Sequence, residues 1–117
     1  MSYISYIKEV LIECRFFILH GYKMKELYNL SYYLSKYTLV RLKAFRDHTS
    51  TYPPILSYNE WLTTIDEMIW AFEWEVSGEI DNPDTSKVGW EVEYDIKWKK
   101  FNKGLELFSK YFRELWY

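Results

Sequence analysis

The chain has 117 residues and one cysteine, Cys14, so an internal disulfide framework is excluded. A lone thiol on an apolar helix is expected to be a small buried hydrophobe in a reducing compartment. Long apolar runs are also missing. The most hydrophobic stretch, Phe16-Phe17-Ile18-Leu19, is bounded by Arg15 and His20, far short of the ~20 residues that cross a bilayer. The N-terminus lacks the charged start, apolar middle and small-residue cleavage site of a signal peptide, so the cytoplasm is the expected location and no membrane partner is expected. The four glycines are scattered and form no phosphate-cradling loop. The two histidines, His20 and His48, have no ligand-spaced neighbour, which leaves no metal motif. No Gly-x-Ser-x-Gly nucleophile turn is present. The carboxylates Asp66 and Glu67 are adjacent and point apart on a helix. Neither an enzyme nor a cofactor is expected from these residues.

Aromatic residues are what the chain has in excess. Twelve Tyr, seven Phe and six Trp are more than one small core can hold, so several are expected at the surface. Exposed Tyr and Trp give large, stiff contact area with a polar handle, which favours a partner surface or self-association. The length fits a single helical domain over residues 1–117.

Apolar spacing predicts four helices and no strand. Ile4, Ile7, Leu11, Cys14 and Ile18 recur in steps of three or four over 3–19, with Gly21 as a C-terminal stop. A second helix is predicted over 25–47, with the stripe Leu27, Leu30, Leu34, Thr38, Leu42 and Phe45. Pro53 and Pro54 then force an extended break. Ser57-Tyr58-Asn59-Glu60 has the capping-box form. Trp61, Leu62, Ile65, Met68, Ile69, Phe72 and Val76 carry a third helix over 58–76. Residues 77–89 read as a mobile loop without periodicity. Trp90, Tyr94, Trp98, Phe101, Leu105, Phe108, Phe112 and Leu115 carry a fourth helix over 90–115. Gly104 interrupts that seam at a cost of roughly 1 kcal/mol against Ala, which suggests a close helix crossing. The expected fold is therefore all-α, a compact bundle of about four helices that self-associates.

Charge is unevenly placed. Lys23, Lys25, Lys36, Arg41, Lys43 and Arg46 make the second helix basic, and Lys97, Lys99, Lys100, Lys103, Lys110 and Arg113 do the same for the fourth. Between them Glu73, Glu75, Glu79, Asp81, Asp84, Glu91, Glu93 and Asp95 form an acidic block. The acidic residues are expected to balance the basic helices in space, the alternative being a basic face for a phosphate-bearing ligand. A net charge of −2 argues against duplex nucleic acid as the main target.

Arg41 lies at the edge of the apolar stripe, where a guanidinium needs a partner. Asp66 or Glu67 can supply one as a structural ion pair tying helices two and three; a ligand anion is the alternative. Tyr28, Tyr32, Tyr33 and Tyr37 lie along the second helix, and Trp70 and Trp74 form an i, i+4 pair on the third. Such groups either pack against a partner subunit or stack on a planar ligand.

Several segments recur, in order, in a known family: Gly21-Tyr22, Leu27-Tyr28-Asn29-Leu30, Leu34-Ser35-Lys36, Arg41-Leu42-Lys43-Ala44-Phe45 and Tyr52-Pro53. Trp61, the run Ile65-Asp66-Glu67-Met68-Ile69-Trp70-Ala71-Phe72, and Gly104-Leu105-Glu106-Leu107-Phe108-Ser109-Lys110-Tyr111-Phe112-Arg113-Glu114-Leu115-Trp116 complete the set. From Gly21 onward the chain resembles a family of small proteins of tailed bacteriophages and prophages. The resemblance brings no catalytic residues with it. It implies an accessory protein acting in the bacterial host cytoplasm, expected to counter host defence by sequestering a nucleotide-like small molecule. In that reading Arg41, Lys36 or Lys43 hold phosphate, while Tyr33, Tyr37 and Trp70 stack on a base. Inhibition of a host or phage protein, or a structural role in the virion, are the other expectations.

Overall fold

In a computed structural model, described over residues 2–116, every regular element is helical and no strand occurs among the described residues. The α-helices are α1 (Tyr3–His20), α2 (Leu30–His48), α3 (Tyr58–Ser77) and α4 (Trp90–Lys110), with short 3₁₀ turns at Met24–Leu27 and Phe112–Glu114. The all-α class and the four-helix count predicted from spacing are both observed. No described helix is long and apolar enough to cross a membrane. The chain divides into two compact units, residues 1–33 and 34–117.

In the first unit, the Ser2 hydroxyl accepts from the Ser5 amide at 3.2 Å and starts α1. Gly21 ends it in the left-handed conformation (φ 80°), where a Cβ would be strained, and donates its amide to the Phe17 carbonyl at 2.7 Å. Cys14 is exposed, correcting the expectation that it is buried. The second helix starts later than its spacing suggests. Met24–Leu27 forms a 3₁₀ turn, and the α-helix begins at Leu30 after Asn29, a residue type whose side chain competes with helical hydrogen bonds.

The second unit is a helical bundle built on α3. Ser57 and Glu60 make both halves of the predicted capping box: the Glu60 amide donates to the Ser57 hydroxyl at 3.1 Å, and the Ser57 amide donates to the Glu60 carboxylate at 3.0 Å. The bond from the Ser57 amide, then that from its hydroxyl, holds the Glu60 carboxyl below its ordinary pKa. Trp61, Ile65 and Met68 are fully buried, with Ile69 and Phe72 beside them. Leu39 and Leu42 of α2, and Leu107 and Tyr111 at the end of α4, close the core.

Two stripes differ from their sequence reading. The buried line on α2 is Ser35, Leu39 and Leu42, with Leu34 exposed. α4 stops at Lys110, five residues early, because Tyr111 is buried edge-on against Trp61 at 5.6 Å and the chain turns there. Gly104 does mark a close crossing. A Cβ there would lie 2.6 Å from both the Ala71 Cβ and the Glu67 carbonyl oxygen of α3.

The segment after α3 is anchored at its start. Ile80 is buried, its carbonyl accepts from the Tyr94 hydroxyl, and Glu79 pairs with Lys97. That bond to Glu79 raises the Lys97 pKa. Part of the acidic block pairs with the basic helices: Lys43 meets Glu73 at 3.1 Å, and within α4 Lys97 also meets Glu93 at 3.7 Å and Lys99 meets Asp95 at 3.2 Å. These pairs are solvated, so each adds little to stability.

Candidate functional site

Three successive turns of α2 and the chain leaving α4 enclose an open groove of about 720 Å³ within the second unit. α2 contributes Tyr37, Arg41, Phe45 and His48, spaced i, i+4, i+8 and i+11, which keeps them on one face. Phe108, Phe112 and Leu115 form the opposite wall with the same period. This wall is continuous with the core, since Phe108 meets Phe72 edge-on at 5.1 Å and Phe112 at 5.6 Å. The size lies within the range of small-molecule sites.

Arg41 is the charged group of this groove, and its geometry is specific. Its guanidinium carbon lies 3.4 Å from the Tyr37 ring centroid, and Nη1 donates to the Tyr37 carbonyl at 3.0 Å. The ring and the carbonyl hold the planar fork in place, and most of its five N–H donors remain for an anion. Two turns along, His48 Nδ1 lies 2.7 Å from the Ala44 carbonyl. In the neutral ring Nδ1 is then the donor and Nε2 the acceptor; a protonated ring donates from both.

The ion pair expected of Arg41 with Asp66 or Glu67 is made by Arg46. Its Nε and Nη2 donate to the two carboxylate oxygens of Asp66, the second at 3.1 Å. The reason is helix phase. Arg46 continues the buried Leu39–Leu42 line by one more turn and so faces α3, whereas Arg41 is rotated off it onto Tyr37. The bidentate bond to Asp66 raises the Arg46 pKa.

The remaining sequence candidates do not gather at this groove. Lys43 is engaged with Glu73. Lys36 is exposed on α2 and does not line it. Tyr33 belongs to the first unit and packs edge-on against Tyr32 at 5.3 Å. Trp70 stacks on Trp74 at 5.8 Å, with the Lys100 ammonium 4.3 Å above its ring. Trp74 itself is buried against Tyr94, Trp98 and Phe101. The tryptophan pair therefore belongs to an α3–α4 aromatic cluster.

His48, Phe108, Phe112 and Leu115 are the groove residues that spacing alone assigns elsewhere, the last three to a core seam. The available signal was the repeat of Arg41 and His48 seven residues apart, facing Phe108 and Leu115 seven apart. These residues bring together a preset cation, an imidazole and aromatic walls. No group of three or more His, Cys, Asp or Glu side chains suited to a metal occurs among the described residues. Comparison with family models, with curated proteins and with solved structures finds no match to this chain.

Proposed function

We propose that this chain is a non-enzymatic binding protein whose groove takes a planar, anionic small molecule of the nucleotide class. The observation that carries the reading is Arg41, its guanidinium carbon 3.4 Å from the Tyr37 ring centroid at an aromatic groove and engaged with no carboxylate among the described residues. A phosphate would accept the guanidinium donors, with His48 Nε2 as a second contact when protonated. The exposed Phe112 ring would stack on a base, a contact contributing about 1–3 kcal/mol, with Phe108 edge-on beside it. Together with the resemblance to small phage proteins, this favours an accessory protein that counters host defence by sequestering a nucleotide-derived signal in the host cytoplasm.

The test is calorimetric titration with AMP, ADP-ribose and a cyclic dinucleotide. At least one is expected to bind, with Arg41→Ala weakening it by 10-fold or more, equivalent to about 1.4 kcal/mol. Lys43→Ala should leave affinity within 2-fold, because Lys43 lies off the groove. No binding of any of the three, or equal loss in both variants, would sink the proposal.

A protein partner is the second reading, favoured by the groove's composition. Leu42, Ala44, Phe45, Phe108, Phe112 and Leu115 are six of its ten lining residues. An apolar wall of this kind also suits an amphipathic helix of a target enzyme. Heat capacity and ligand mass distinguish the two, since a helix adds thousands of daltons and a nucleotide only hundreds.

A further inference from the structure

The first unit buries none of its own described residues, and α1 carries a heptad-spaced apolar stripe, with Tyr6, Ile12 and Leu19 apolar beside it. Ile4, Ile7, Leu11, Cys14 and Ile18 alternate steps of three and four, the a and d positions of a heptad sustained over five sites. Tyr3, Val10 and Phe17 fall at g and widen the stripe, while Lys8 and Arg15 fall at e. Exposure along it is high, with Ile4 67%, Leu11 63% and Ile18 79% accessible. An isolated helix of this length is marginal in water, so a cover over this stripe would stabilise it.

We propose that α1 is a self-association helix, pairing in parallel and in register with α1 of a second copy of this chain. Steps of three and four suit a helical occupant, because the side chains of a second helix can pack along such a seam. The flanking residues specify like with like. In a parallel pair g of one helix meets e five residues on in the other, which sets Tyr3 beside Lys8 and Val10 beside Arg15 of the second copy. Lys and Arg stems lie well along apolar side chains while their charges stay in water. An antiparallel pair sets e against e, Lys8 and Arg15 against the same cations, and is repelled. Area agrees: the a, d and g residues expose on the order of 700 Å² per helix, so two copies exceed the roughly 1,000 Å² of a specific interface. An open hollow of about 280 Å³ beside Val10, Cys14, Phe17 and Ile18 gives room for a facing side chain. This inference is independent of the groove on the second unit.

Sedimentation of the full chain between 1 and 50 µM tests it. The natural chain is expected to be a dimer or larger, and Leu11→Glu to raise the dissociation constant at least 100-fold. Ile12→Glu, at an exposed b position, should leave it within 3-fold. The second unit's unfolding should be the same in all three, which separates lost pairing from lost folding. Cys14 sits at d, so in-register parallel helices bring two Cys14 thiols together. Diamide, taking up their two hydrogens, should link them rapidly into a disulfide dimer that Leu11→Glu no longer forms. A natural chain that is monomeric at 50 µM would overturn the proposal, as would an oligomer indifferent to Leu11→Glu. An oligomer that diamide fails to cross-link would overturn the parallel pairing, and a monomer that floats with anionic vesicles would assign the stripe to a membrane surface instead.

Discussion

Trp61→Ala is expected to destabilise the protein by about 3–5 kcal/mol, a large part of the roughly 5–15 kcal/mol typical of whole domains. Trp61 is fully buried and joins the three parts of the second unit: it meets Phe45 of α2 edge-on at 6.4 Å and Tyr111 beyond α4 at 5.6 Å. Its truncation leaves a cavity that helices pinned at both ends collapse into only partly. In urea the midpoint should fall by about 2 M for a slope near 2 kcal/mol/M. Trp61→Phe should cost much less, since it keeps a ring and removes a buried indole N–H that has no partner among the described residues. Trp116→Ala, at a site 62% exposed, should stay within about 0.5 kcal/mol. A midpoint shift in Trp61→Ala no larger than that of Trp116→Ala would refute this account of the core.

Gly104→Ala is expected to lower the melting temperature by about 5 °C, opposite in sign to an ordinary helix glycine. At an exposed site the change to alanine adds roughly 1 kcal/mol of helix propensity. Here the new methyl would meet the Ala71 Cβ and the Glu67 carbonyl oxygen, each at 2.6 Å, and neither is the flexible end of a side chain. α3 and α4 must move apart, and overpacking of this kind costs about 1–3 kcal/mol. Gly104→Val should cost more, because branching at Cβ adds a second clash. Thermal unfolding by circular dichroism decides it, and a raised melting temperature for Gly104→Ala would show that the crossing is looser than its contacts imply.

Legibility of the fold followed the strength of local signals. α3 was readable to within a residue because a capping box and an unbroken apolar period mark it. The close crossing was readable from Gly104 alone, since glycine in a helical seam needs a reason. The end of α4 was not, because Phe112 and Leu115 keep the helical step while Tyr111 is drawn onto Trp61 by a contact fifty residues away in sequence. α2 was misread by one position. Leu34 and Leu39 are equally apolar, and only the placement of α3 decides which of them is covered.

The candidate site was legible in one residue and not in its setting. Arg41 stood out for a charge beside an apolar stripe, and the choice between carboxylate and ligand turned on which arginine faces Asp66. A rotation of five residues settles it for Arg46, a geometric fact no spacing rule ranks in advance. Lys43 and Trp70 have the right chemistry for a phosphate and a base, but Glu73 and Trp74 occupy them. The walls of the groove were hidden by their own hydrophobicity, since Phe108, Phe112 and Leu115 read as core, whereas Phe108 and Leu115 only flank it and Phe112 is exposed.

The proposed nucleotide site stands or falls with Arg41. The most direct measurement is an NMR titration of the ¹³C,¹⁵N-labelled protein with the nucleotide that binds best by calorimetry. Saturable shifts of the Arg41 Nε–H, the His48 ring and the Phe112 ring are expected, and the ring shifts should be absent from Arg41→Ala. Shifts confined to Trp70 and Lys100, or to residues 2–33, would contradict the proposed site.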